Sequence, residues 1–171
     1  CVALYNFESG ALVTDSIGTN TLTNSGVAES VGDFKEGACA ADFDKATTDL
    51  MYRASASLSA GFPLKTCDVS LKFGYTFWAK LETLNAGGMR FFTHGSTTGD
   101  TGVVTYISPP GVFTSFFGQW PWVVATLVTG RWYHIGISSD VIAKTATCRI
   151  WDDTAVSATT YTHTFTFDFG A

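Results

Sequence analysis

The densest run of chemistry-bearing side chains in the sequence is Phe113-Thr-Ser-Phe-Phe-Gly-Gln-Trp-Pro-Trp122. The apolar face of a pyranose stacks on an aromatic ring while polar neighbours take its hydroxyls, so Phe117, Trp120 and Trp122 are the candidate ligand-binding residues. Trp120 and Trp122 flank Pro121, which places them in or near a loop with their rings in parallel directions. The competing reading is that these rings cover an end of the core or a subunit contact, because so apolar a loop is a liability if left bare. Acid–base chemistry has thinner material. Asp42 and Asp44 stand two apart, on one face of an extended segment, with no glutamate following at a useful spacing. Asp152 and Asp153 are adjacent, so in a strand they would point to opposite faces, and a turn suits them better. The three histidines, His94, His134 and His163, come without a Gly-x-Ser-x-Gly elbow. His134 is expected to be a packed strand residue, His94 to lie in a turn, and His163 to face its strand neighbours. No catalytic residue is assigned, and the chain is read as a non-enzyme.

The four cysteines, Cys1, Cys39, Cys67 and Cys148, lack the close spacing of thiolate zinc sites. An even number in a Thr/Ser/Gly-rich chain with few lysines suits an oxidising compartment. Two disulfides, in any of the pairings four cysteines allow, and free buried thiols both remain open. Cys1 is read as the start of a processed or trimmed chain.

The elements that must position these groups are strands. In Tyr75-Thr-Phe-Trp-Ala-Lys-Leu-Glu82 one face carries Tyr75, Phe77, Ala79 and Leu81, and the other Thr76, Trp78, Lys80 and Glu82. Trp132-Tyr-His-Ile-Gly-Ile-Ser138 sets Tyr133, Ile135 and Ile137 against Trp132, His134 and Gly136. Tyr161 to Phe169 alternates aromatic or His with Thr or Asp, as a strand with one wet side does. Gly87-Gly88, Ser108-Pro-Pro-Gly111 and Thr129-Gly130 supply turn chemistry between the runs. The Ala-rich stretch from Glu36 to Ala60 has helix-favouring composition but no helical apolar stripe, so it is expected to be strand, turn, strand. A chain of 171 residues that is 46% hydrophobic and 15% charged can bury a core and is not disordered. One domain over residues 1–171 is expected. A net charge of −5 without a Lys/Arg cluster excludes a nucleic-acid surface, and no apolar run reaches the length of a membrane helix.

Several segments, in order, resemble the laminin G-like branch of the concanavalin A-like lectin/glucanase superfamily. Ala3-Leu-Tyr-Asn-Phe-Glu8 with Asp15-Ser-Ile-Gly18 is similar to its first strand and Asp-Ser-Ser-Gly turn. Gly37-Ala-Cys-Ala-Ala-Asp-Phe-Asp44 is similar to its Gly-x-Ala-x-x-Phe-Asp-Gly strand, with Lys45 where Gly is usual. Phe73-Gly-Tyr-Thr-Phe-Trp-Ala-Lys80, Gly130-Arg-Trp-Tyr-His-Ile-Gly136 and Cys148-Arg-Ile-Trp-Asp-Asp153 resemble Phe-Thr-x-x-x-Trp-Val-Lys, Gly-x-Trp-x-His-Val-Ala and Leu-Tyr-Val-Asp-Gly. Asp153 stands in place of the last turn glycine.

The resemblance implies an all-β, two-sheet antiparallel jelly-roll sandwich, with one or two closing strands expected from a following segment or a neighbouring subunit. It implies a calcium ion in many members, which makes Asp15, Asp44 and Asp49 candidate ligands; the alternative is that these acids cap turns by accepting backbone N–H bonds. The Glu-x-Asp-x-x-Glu triplet of the superfamily's glucanases is missing from the sequence. The expected function is therefore non-catalytic adhesion on a secreted, cell-surface or virion protein, with a glycan or glycoconjugate as ligand. The alternative is a structural subunit that joins other protein subunits, as a homo-oligomer or larger assembly, through an open sheet edge.

Overall fold

A computed structural model describes residues 1–63, 65, 72–84, 87–94, 103–117, 120–140 and 142–165; within these the side chains of Lys45, Phe116, Phe117 and Trp120 are left undescribed. The chain forms two compact units, Cys1–Asp68 and Val69–Ala171. Every regular element among the described residues is a strand or a short 3-10 turn, so the all-β reading from period-two alternation holds.

In the first unit β1 (Thr23–Ser25) pairs antiparallel with β4 (Leu50–Tyr52), and β2 (Ala28–Ser30) with β3 (Ala40–Asp42). The stretch around residues 36–60 is strand and turn, as its lack of an apolar stripe implies: 3-10 turns at Lys45–Thr47 and Ser55–Ser57 alternate with β3 and β4. Strands this short cannot hold a fold by ladder bonds alone. The irregular backbone is tied instead by buried polar side chains. Asn20, 1% exposed, accepts from the Ser59 amide at 2.9 Å and donates to Ser59 Oγ at 3.1 Å and Val2 O at 3.2 Å. Its own carbonyl accepts from Tyr5 Oη at 2.6 Å. A buried amide is stable only when its donors and acceptors are matched, and here they are.

The second unit holds two four-stranded antiparallel sheets. One is ordered β12 (Ser157–Thr164), β11 (Thr145–Asp152), β10 (Trp132–Asp140), β5 (Lys72–Lys80); the other β6 (Met89–His94), β7 (Val103–Ser108), β8 (Val112–Phe117), β9 (Trp120–Thr126). Their inner faces meet as a sandwich. Tyr133, Ile135 and Ile137 of β10 and Cys148 and Ile150 of β11 are buried on one side, and Val103, Ile107 and Phe113 on the other. Rings interlock between the layers: Tyr75 with Phe92 at 4.3 Å between centroids, and Phe77 with Phe91 at 5.4 Å. Consecutive Phe91 and Phe92 both reach the opposite sheet because the register of β6 on β7 breaks between Arg90 and Phe92, and a bulge suspends the in–out alternation. The Tyr75 hydroxyl bonds Thr105 Oγ1 inside the core, and burial pushes its pKa up.

The disulfide expectation is not met among the described residues: Cys1, Cys39 and Cys148 are free thiols. Cys39 donates to Phe7 O at 2.8 Å instead, and Cys148 is fully buried between the sheets. Cys67 lies outside the described residues.

Candidate functional site

The outer face of the β12-β11-β10-β5 sheet gathers the side chains best suited to hold a ligand. With Tyr75 and Phe77, Tyr133, Ile135 and Ile137, and Cys148 and Ile150 committed to the core, strand alternation sends Thr76, Trp78, His134, Gly136, Arg149 and Trp151 outward. Register brings them together. His134 stands between Trp78 of β5 and Trp151 of β11, and Gly136 between Thr76 and Arg149. Adjacent strands are about 4.8 Å apart, so these side chains form a two-row patch across three strands.

Thr76, His134, Gly136, Arg149 and Trp151 line a depression of about 280 Å³. Its floor is Gly136, where an added Cβ would find nothing within 4 Å. A glycine inside a strand weakens it and marks a bulge, a close backbone approach or a ligand's path. The register through Gly136 is unbroken on both sides and the space above it is open, so neither a bulge nor a close backbone approach accounts for this glycine. Gly74 on β5 contrasts with it: a Cβ there would meet Ile137 O at 3.1 Å.

The walls are oriented by contacts of their own. His134 Nε2 and Thr76 Oγ1 are 2.6 Å apart, and the imidazole tilts against the Trp78 ring at 5.0 Å and 44°. Trp78, His134 and Trp151 are half-buried, whereas Thr76 and Arg149 are exposed. Among the described residues no carboxylate and no thiol lines the depression. The set can stack on a ring and donate or accept hydrogen bonds.

The aromatic candidates from the sequence sit elsewhere. The segment around Trp122 is not a loop but paired strands, with Ser115 of β8 opposite Trp122 of β9. Trp122 is buried and its ring lies on His163, so its indole is enclosed rather than offered to a ligand, as the core-covering alternative expected. The side chains of Phe117 and Trp120 lie outside the described residues. His94 ends β6 rather than occupying a turn; burial lowers its pKa, and its Nδ1 has no hydrogen-bond partner among the described residues.

The candidate calcium ligands separate into two turn-holding devices. Asp15 Oδ1 accepts from the amides of Leu4 (3.0 Å), Ile17 (3.3 Å) and Gly18 (3.1 Å), and Oδ2 from Asn20 (2.9 Å). Burial alone would raise its pKa, but the N–H groups of Leu4, Asn20, Ile17 and Gly18 outweigh it and hold the carboxyl at about 2. Asp49 accepts from the Asp44 amide at 2.9 Å and from the Thr47 hydroxyl, while Asp44 accepts from Ala46 at 2.8 Å. Among the described residues no three His, Cys, Asp or Glu gather in a metal-sized group. A carboxylate ringed by N–H donors is a poor cation ligand, which sets Asp15 apart, while Asp44 and Asp49 accept bonds within their own turn as the turn-capping alternative describes.

A second concavity, about 250 Å³, opens between the end of β9 and the inner side of β11 and β12, lined by Leu127, Val128, Tyr133, Thr159 and Tyr161 among others. Its charged groups are already matched, Arg131 Nη1 to Asp152 Oδ2 at 3.0 Å.

Alternation alone had sorted Thr76 and Trp78, and His134 and Gly136, onto common faces. Missing from the sequence was which strands lie side by side: Thr76 and His134 are 58 residues apart. The one local signal was a glycine in mid-strand beside a histidine. No protein-family model matches the chain, and comparison with curated proteins and with solved structures returned no similar protein.

Proposed function

We propose that this chain is a non-catalytic glycan-binding domain, a jelly-roll sandwich of the concanavalin A-like, laminin G-like kind, that takes an oligosaccharide on the outer face of the β12-β11-β10-β5 sheet. The observation that carries the reading is the open, glycine-floored depression between Arg149, His134, Thr76 and Trp151. The half-buried Trp151 indole suits the apolar face of a sugar ring, and the hydroxyl, imidazole and guanidinium suit its polar edges. A secreted, cell-surface or virion-surface setting belongs to the same reading, since that is where such ligands are met.

The test is a glycan array probed with the whole chain, with Gly136→Phe to fill the depression and Trp151→Ala to remove its wall. Retention of at least one oligosaccharide, lost in both variants while their circular dichroism is unchanged, supports the reading. Binding that both variants preserve, or no binding at all, rejects it.

A second reading, assembly by strand addition, is favoured by β12. The other edge strands of the two four-stranded sheets carry features that discourage pairing: Lys72 and Lys80 on β5, Arg90 and a register break on β6, Pro121 on β9. The β12 sequence Ser-Ala-Thr-Thr-Tyr-Thr-His-Thr carries neither proline nor a fixed charge. Light scattering across a concentration series would find an oligomer that Thr162→Lys dissolves; a monomer throughout rejects it.

A further inference from the structure

We infer that the saccharide held on this face is acidic: an oligosaccharide of uronic-acid pyranoses whose carboxylate pairs with the Arg149 guanidinium. The inference rests on the glycan-binding reading above and names its ligand class. The strands β5, β10, β11 and β12 carry two acids, Asp140 and Asp152. Each is already matched by a cation. Asp140 Oδ2 lies 2.7 Å from Lys72 Nζ, and Asp152 Oδ2 lies 3.0 Å from Arg131 Nη1. Asp152 also accepts from the amides of Thr154 at 2.9 Å and Ala155 at 3.1 Å, which turns it into the β11–β12 connection.

Arg149 is left over. Its cross-strand neighbours are Gly136 and Thr160, neither of them charged, and it has no ion pair among the described residues. An unneutralised guanidinium on the wall of a depression, in a chain whose net charge is −5, is a local reversal of sign. Guanidinium presents a planar fork of donors that matches a carboxylate with two parallel hydrogen bonds. The depression supplies the rest of a uronate's requirements beside that fork. Trp151 offers an apolar ring face, the Thr76–His134 pair meets hydroxyls, and the bare backbone at Gly136 lets the sugar ring approach between them. A neutral sugar would use the platform and leave the charge unanswered.

The experiment titrates the whole chain with free-acid oligouronates (galacturonate, mannuronate and glucuronate-containing oligomers), with their methyl esters, with neutral oligosaccharides and with a sulfated oligosaccharide. Gly136→Phe and Arg149→Gln are run in parallel. The expected result is that at least one free acid binds roughly 10-fold or more tighter than its ester, the size of one charge-assisted bidentate contact. That margin should shrink with added salt, vanish in Arg149→Gln, and return only in part in Arg149→Lys, which keeps the charge without the fork. Acid and ester binding equally, with both lost in Gly136→Phe, overturns the acidic ligand and leaves the face a glycan site. A sulfated oligosaccharide outbinding every uronate overturns the carboxylate assignment. No oligosaccharide binding overturns this inference together with the reading beneath it.

Discussion

The indole of Trp122 lies against the imidazole of His163 with ring centroids 5.4 Å apart and planes inclined by only 15°. Trp122 belongs to β9 and His163 to β12, so the stack joins the two sheets of the sandwich near the edge of each. With Trp122 only 7% exposed, removing its side chain leaves a cavity that neither edge strand can easily close. Trp122→Ala should therefore cost about 3–5 kcal/mol of stability, measured as a shift in the urea midpoint at constant slope. A cost under about 1 kcal/mol, the size of a surface substitution, would mean that this stack does not hold the layers together.

Gly136 should behave in the opposite sense. Its strand would gain from almost any side chain, since glycine in a strand interior is worse than alanine by about 0.5–1 kcal/mol and nothing obstructs a Cβ there. Gly136→Val is expected to raise the denaturation midpoint by about that amount while weakening glycan binding. If stability falls instead, the glycine serves the backbone and not a ligand.

Asp15 makes stability pH-dependent in a defined direction. Its carboxyl titrates at about 2 in the folded chain, against an ordinary 3.8. A group depressed on folding contributes stability that is full above the unfolded pKa and is lost as pH falls through the folded one. The loss belongs between roughly pH 4 and pH 2. Asp15→Asn puts an NH₂ among N–H donors and removes the charge they share, and should destabilise by about 2 kcal/mol at neutral pH. Thermal melts of the two proteins should converge as pH drops through that window; a constant gap would assign the stabilisation to something other than the ionised carboxylate.

Cys148 should be inert. Burial pushes its thiol up to about 12, and only the thiolate is nucleophilic. Iodoacetamide on the folded protein at about pH 8, near the ordinary thiol pKa, should modify the exposed Cys1 and leave Cys148 untouched until denaturant is added, read by peptide mass mapping. Rapid native labelling of Cys148 would show that the sheets part readily.

What the amino-acid order determined by itself was local. Period-two patterning fixes which residues share a side of a strand, so the division of Tyr133, Ile135 and Ile137 from His134 and Gly136 could be read before any strand was paired, and packing then decided which side is buried. Its weakest point was where the pattern breaks: the Phe91–Phe92 bulge puts two neighbours on one side, and the aromatic run near Trp122 reads as a loop because proline and glycine interrupt it. Strand order and register belonged to the tertiary structure. They place Arg149 beside Gly136, Trp151 beside His134, and Trp122 under His163, and they turn Asp15 towards four backbone amides rather than towards the other acids. The physical reason is that alternation is set by each strand's own backbone geometry, whereas partnership is set by how whole inner faces fit, a property no short segment contains.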